Sequence, residues 1–267
     1  MPYAADVVNV TIERLDVATG VAELRLGRPE ALNALSTAHA QAIREATASL
    51  ATDASVRAVV LSSTAPRAFC VGADLKERHT LDDDGLRRQR PVFRAAFTGI
   101  LDLPVPTVAA VHGFALGGGL ELALSCDLIV ADETVTLGLP EVSVGVIPGG
   151  GGTQLLTRRI GWGRAADLVF TARRIDGPEA YRLGVVDRLV EAGRAREVAV
   201  ELAATVAAHS PVGVRQAKKA MRLGADAALA AGLEIEDAAW RATAFSGDRK
   251  EGVAAFNEKR GPDWPGE

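Results

Sequence analysis

Pro106-Thr107-Val108-Ala109-Ala110-Val111-His112-Gly113-Phe114-Ala115-Leu116-Gly117-Gly118-Gly119-Leu120-Glu121-Leu122 is the stretch whose reading decides the fold. Thr107–Val111 is a short apolar run of the kind that forms a buried parallel strand. The chain then turns through Gly113 and Gly117 into a helix that begins near Gly118. Such a strand–turn–helix aims the free N–H groups of the first helical turn at whatever lies beyond the strand end, where their partial positive charge favours an anion. Glu121 sits three residues into that helix and faces the same end. Its neighbours Leu120, Leu122, Ala123 and Leu124 are apolar, so its carboxyl is predicted to be partly buried, with a raised pKa suited to proton transfer.

The same pattern occurs upstream. A strand over Val56–Ser62 leads through Phe69-Cys70-Val71-Gly72 to a helix near Ala73-Asp74-Leu75-Lys76. Two such turns, if adjacent, converge as an oxyanion hole. Downstream, Leu128–Ala131 reads as a third buried strand. Leu139-Pro140-Glu141 then sets a second acid ahead of Pro148-Gly149-Gly150-Gly151-Gly152-Thr153. A chain that twice couples glycine-rich backbone with a carboxylate is predicted to handle an enolate or a similar oxyanion.

The surroundings indicate an α/β protein with crossovers. Val7–Ile12 and Val21–Leu26 read as a hairpin joined by Ala18-Thr19-Gly20, and Leu35–Leu50 as a helix. After Glu191 the strands stop. Ala195–His209, Asp226–Phe245 and Asp248–Lys259 read as helices, with Ser210 an N-cap and Pro211 at the first position of a further helix. Residues 1–194 are therefore expected to form an α/β core carrying the active site, and residues 195–267 a helical appendage packed on that core or on a neighbouring subunit. The charge-rich segment Thr80–Pro91 reads as a loop forming one wall of the pocket.

Composition excludes several functions. The chain has 267 residues, 48% hydrophobic and 24% charged, with a net charge of −4. General nucleic-acid binding needs a basic stripe that this balance lacks. Pro148–Thr153 is not a phosphate loop, since no Gly-Lys-Ser/Thr follows; Thr153 instead reads as the cap of a helix Gln154–Ile160. Gly117-Gly118-Gly119 does not fit the dinucleotide fingerprint, and Gly-x-Ser-x-Gly is absent. His39, His79, His112 and His209 lack metal spacing. Cys70 and Cys126, flanked by apolar residues, read as small buried side chains. No metal and no separate cofactor is expected. The N-terminus lacks a basic and then apolar leader, and no run of 18 apolar residues occurs, so a soluble cytoplasmic protein is expected.

Taken in order, these residues resemble the enoyl-CoA hydratase/isomerase (crotonase) superfamily. The resemblance runs through Arg28-Pro29-Glu30-Ala31-Leu32-Asn33-Ala34-Leu35, Ala68–Glu77, Pro106–Leu122, Leu139-Pro140-Glu141, Ile147–Gln154 and Asp248–Arg260. In Phe69–Arg78 and Leu103–Leu124 it is nearest to the methylglutaconyl-CoA hydratase branch. It implies a spiral of ββα units with a C-terminal helical trimerisation region, in a homotrimer or a hexameric dimer of trimers. It implies an acyl-CoA thioester substrate, coenzyme A being part of that substrate, with its carbonyl held by the N–H groups of Ala73 and Gly118. Arg28, Ala31, Leu32, Asp74, Leu75 and Lys76 would line the CoA site, and Trp240 and Lys259 would reach the CoA of a neighbouring subunit. Hydratases use two carboxylates, and Glu121 and Glu141 provide them. The resemblance thus favours hydration of a 2-enoyl-CoA over isomerisation. Some relatives of that branch bind RNA through a lysine-lined helix. The matching stretch Asn33–Arg57 contains no lysine, which leaves RNA binding a remote alternative.

Overall fold

The computed structural model describes residues 10–16 and 20–267. Strands β1 (Val10–Asp16) and β2 (Val21–Leu26) pair antiparallel as the expected hairpin. Of the residues assigned to it, Val7–Asn9 and Ala18-Thr19 lie outside the described residues. From β2 onward the chain alternates between two sheets. Strand β3 (Ala58–Ser63) enters the larger sheet and β4 (Ala68–Cys70) the smaller; β5 (Thr107–Val111) and β6 (Phe114–Leu116) repeat the step, as do β7 (Leu128–Asp132) and β8 (Thr136–Gly138). Strand β9 (Arg174–Asp176) closes the smaller sheet in the order β4-β6-β8-β9. Strand β10 (Arg188–Val190) closes the larger, β1-β2-β3-β5-β7-β10. Each pair of strands is followed by helical chain, which is the ββα spiral that the resemblance implies.

Helix α1 (Thr37–Thr52) starts at Ser36, whose hydroxyl accepts from His39 N, and follows β2. Helices α2 (Leu75–Thr80) and α3 (Asp83–Leu101) follow β4, and α4 (Gly118–Leu124) follows β6. The remaining helices are α5 (Gly152–Ile160), α6 (Trp162–Thr171), α7 (Gly177–Leu183), α8 (Ala195–Ala207), α9 (Pro211–Gly224), α10 (Leu229–Ala244) and α11 (Gly247–Glu258).

Alternation along the strands divides the core. Val59, Leu61, Ala109, Val111, Ile129 and Ala131 face the main cluster. Ala58, Val60, Val108, Ala110 and Val130 face the opposite way, onto α8. Helix α8 meets them with Ala199, Ala203 and Ala207, one small residue per turn, so the helix lies close against the sheet. Helix α9 is tied on by a half-buried ionic cluster. Lys218 Nζ lies 2.7 Å from Asp127 Oδ2 and donates to Val105 O, and Arg222 Nη2 donates to Asp127 Oδ1 at 2.9 Å. The tail returns to the same region: Asp248 accepts from Ser210 Oγ, Val212 N and Gly266 N.

Three sequence expectations are corrected. Thr80–Pro91 is not a loop, because α3 begins at Asp83 with Asp82 accepting from Gly85 N as its cap. Pro91 stands inside that helix, and the bond it cannot donate would go to the carbonyl of Arg87, an exposed residue. The helix read from Asp226 starts at Leu229, since α9 runs on to Gly224. Thr153 does not cap α5. The cap is Gly151 at φ +119°, a conformation closed to threonine.

Candidate active site

Three strand ends set the site. In the smaller sheet Cys70 pairs with Ala115 and Leu116 with Gly138, so β4, β6 and β8 finish side by side. The chain leaves them through Gly72-Ala73, Gly117-Gly118 and Leu139-Pro140-Glu141 respectively. Two glycines let these turns touch. Gly72 has φ +90°, and a Cβ there would stand 2.8 Å from Leu116 O and 3.2 Å from Gly118 N. Gly117 has φ +51°, and a Cβ there would stand 2.9 Å from Glu141 Oε1. Both positions need positive φ and the absence of a side chain. Leu35 N donates to Gly72 O and Asp74 N donates to Leu35 O, which fixes the peptide on either side of Ala73. Among the described residues, neither Ala73 N–H nor Gly118 N–H donates a hydrogen bond.

Both turns open on a cavity of about 700 Å³. Leu35, Phe93 and Phe97 give it apolar wall; Glu121 and Glu141 are its acids. Glu121 is 3% exposed. Its Oε1 accepts from Gly150 N at 2.6 Å and Gly152 N at 2.8 Å. The glycine run therefore wraps a carboxylate of the protein itself, and Glu121 supplies the tertiary cap that α5 lacks locally. Burial raises the Glu121 pKa, against the pull of the Gly152 and Gly150 amides. Glu141 is held differently. Its Oε2 is buried without a hydrogen-bond partner. Burial pushes its carboxyl up to about 7, with the charge of Glu121 adding to the rise, against a backbone hydrogen bond and the charge of Arg78. Two carboxylates and two free N–H groups thus share one partly dry space.

The sequence-predicted residues separate into groups. Ala73, Leu75, Gly118, Glu121 and Glu141 line the cavity. Arg28 and Asp74 lie beside it but bind each other, with Arg28 Nη1 donating to Asp74 Oδ2 at 2.7 Å and to Ala34 O at 3.0 Å. Asp74 also accepts from Lys76 N and Glu77 N, capping α2. This pair clamps the loop carrying Ala31 and Leu32 onto the start of α2; Leu32 is left-handed at φ 51°. Lys76 is exposed. Trp240 and Lys259 are exposed on α10 and at the end of α11, and neither lines the cavity. His112 bonds Ala65 O through Nε2 and stands outside the cavity lining. Cys70 and Cys126 are buried, and burial raises both thiols to about 12. Sequence reasoning missed Arg78, Arg90, Phe93, Phe97 and Arg174 in the wall. The spacing of 90, 93 and 97 is helical, and it was hidden by reading the preceding segment as a loop.

The sequence profile of the family described as Enoyl-CoA hydratase/isomerase matches residues 16–267. The chain belongs to that family. This enoyl-CoA hydratase/isomerase family member is 41% identical to human mitochondrial methylglutaconyl-CoA hydratase over 252 residues, covering 93% of this chain and 74% of that protein. It is 42% identical to bovine mitochondrial enoyl-CoA hydratase domain-containing protein 2 over 254 residues, covering 93% and 85%. Among solved structures, enoyl-CoA hydratase from Bacillus anthracis superposes with a TM-score of 0.94 at 38% identity, covering 97% of this chain and all of that one.

Proposed function

We propose that the protein is an enoyl-CoA hydratase that adds water across the C2=C3 bond of a 2-enoyl-CoA thioester. The observation that carries this reading is the pair of glutamates in one cavity, with unlike environments, beside two unengaged N–H groups. The N–H groups of Ala73 and Gly118 hold the thioester oxygen. Glu121 orients a water and takes its proton as the water oxygen bonds to C3. The π electrons move onto the thioester as an enolate whose oxygen the two amides stabilise. Glu141 then gives its proton to C2, and the double bond to oxygen re-forms. An acid raised to about 7 is protonated in a useful fraction at neutral pH. The Gly150 and Gly152 amides that donate to Glu121 Oε1 favour its anion and oppose the rise that burial causes. Coenzyme A enters as part of the substrate, and no separate cofactor takes part.

The assembly is a homotrimer or a dimer of trimers. Support comes from α9–α11, where Met221, Leu229, Phe245 and Phe256 are each at least three-quarters exposed. Trp240 lies on α10 and Lys259 directly follows α11, which suits contact with a neighbouring subunit's CoA.

Loss of the conjugated-thioester absorbance of crotonyl-CoA tests the reaction. Glu121→Gln and Glu141→Gln should each lower turnover by about 10²–10⁴-fold. The double variant should be little worse than either, since the groups act as a unit. A wild type that shifts a 3-enoyl-CoA but hydrates no 2-enoyl-CoA, and that needs only one glutamate, is an isomerase.

A further inference from the structure

The Ala73 N–H is only as good a donor as the peptide that carries it. That peptide, Gly72–Ala73, is planar and trans, so its carbonyl and its N–H point opposite ways. The carbonyl is taken by Leu35 N–H at 2.8 Å. Leu35 N belongs in turn to the Ala34–Leu35 peptide, and three donors meet on the oxygen of that peptide. They are Ser36 N at 3.2 Å, Arg28 Nη1 at 3.0 Å and His39 Nδ1 at 3.3 Å. Two peptides thus stand in series between His39 and the cavity, each taking a hydrogen bond at its oxygen and offering one at its nitrogen. Donors chained in one direction polarise one another, which strengthens the last N–H of the row.

His39 is costly where it stands. It is fully buried on α1 and does not line the cavity. A carbonyl only accepts, so Nδ1 carries the ring's proton and Nε2 is a bare acceptor. That Nε2 is buried with no hydrogen-bond partner among the described residues. Burial lowers the ring's pKa and the Arg28 charge adds to the fall, against the Ala34 hydrogen bond and the charge of Glu30. The ring is therefore neutral, and its single N–H is spent on Ala34 O. A leucine would fill the same core position and leave no polar atom unsatisfied. What sets the histidine apart from it is the row of peptides its N–H feeds. We infer that His39 is a positioning residue for the proposed oxyanion hole: through the Ala34–Leu35 peptide it aims and polarises the Gly72–Ala73 peptide, whose N–H holds the thioester oxygen. The inference rests on the acyl-CoA reading above and adds to it a residue that touches no substrate.

The thioester carbonyl itself reports on such a relay. Butyryl-CoA is saturated and cannot be hydrated, so its bound state can be held for isotope-edited infrared difference spectroscopy. On the wild type its carbonyl stretch should fall below the value for free ligand. His39→Leu should bind it with less lowering, and His39→Asn, which returns an N–H near the place of Nδ1, should recover the shift. With crotonyl-CoA, His39→Leu should lose about three- to tenfold in kcat, the worth of one neutral hydrogen bond, with KM little changed. A stretch in His39→Leu equal to that of the wild type would overturn the inference. So would an identical loss in His39→Leu and His39→Asn, because the ring would then only fill space. Should His39→Leu fail to fold, nitrogen NMR of the wild-type imidazole replaces it: a protonated Nδ1 with a bare Nε2 supports the relay, and the opposite tautomer overturns it. A wild type that lowers the stretch but hydrates no enoyl thioester leaves the His39 comparison readable. Failure of the wild type to bind butyryl-CoA, or binding with no lowering, removes the oxyanion reading and this inference with it.

Discussion

Glu141 has one carboxylate oxygen buried without a partner and an acid strength weakened to about 7. If it supplies the C2 proton, kcat/KM for crotonyl-CoA should fall about tenfold per pH unit once pH passes about 7. That limb should vanish in Glu141→Gln; its persistence there would assign it to another group. The same shift has a consequence for stability. The folded value lies above the ordinary 4.5, so between about 4.5 and about 7 the folded state holds a proton that the unfolded state has released. Stability contributed by this group is complete below 4.5 and is lost as pH rises to about 7. Glu141→Gln has nothing to ionise. Its Tm relative to wild type should therefore rise between pH 4 and pH 8, and thermal melts giving a constant or falling difference would contradict the shift. Both glutamates were legible in the sequence because glycines and apolar neighbours mark them. Arg78 was not legible, because its place in the cavity wall arises only when α2, α3 and the segment after β8 meet.

Helix α4 shows how closely an element can be specified by one residue. A Cβ on Gly119 would lie 1.9 Å from Cys70 O, so α4 reaches β4 only where no side chain intervenes. Gly119→Ala should cost at least the ~1–3 kcal/mol typical of overpacking. Urea titration showing wild-type stability would mean that the two elements separate more easily than their contact implies. At Gly118 the test is chemical. Proline is well tolerated at the first position of a helix, so Gly118→Pro removes the N–H while keeping α4. Turnover should drop by about 10²–10³-fold, and a folded variant with near-normal activity would exclude Gly118 as the donor. The strands of the larger sheet were legible as apolar runs. The three-residue strands β6, β8 and β9 were not, being too short to show a period. Nor was the start of α3, where Asp82, Asp83 and Asp84 followed by Gly85 imitate a loop and Pro91 imitates a break.

Across the molecule, α8 and the helices after it behave differently. Helix α8 fills one face of the larger sheet, and cutting the chain at residue 195 would strip Ala199, Ala203 and Ala207 from Val60, Val108 and Val130. The alanine spacing made the helix legible, while its docking place depends on strands far away in sequence. Helices α9–α11 instead keep large apolar side chains in water, Phe256 at 84% and Leu229 at 79% exposed. Patches of that kind mark association surfaces. Sedimentation should give a trimer or a hexamer, and Phe245→Asp with Phe256→Asp should shift it to smaller species. A wild type that sediments as a monomer at micromolar concentration would contradict the assembly.

Gly118 and Glu121 ride on one turn of α4, so the distance between the proposed carbonyl holder and the proposed base is as stiff as a helix with a pitch of about 5.4 Å. Glu141 arrives on separate chain, followed by six exposed residues from Val142 to Ile147. The first pair is a fixed chuck, and the second segment is an interchangeable bit. Grafting a different 139–147 segment would change what happens at C2 while the thioester stays gripped as before, so new reactions can be sought there with little risk to the hold on the substrate.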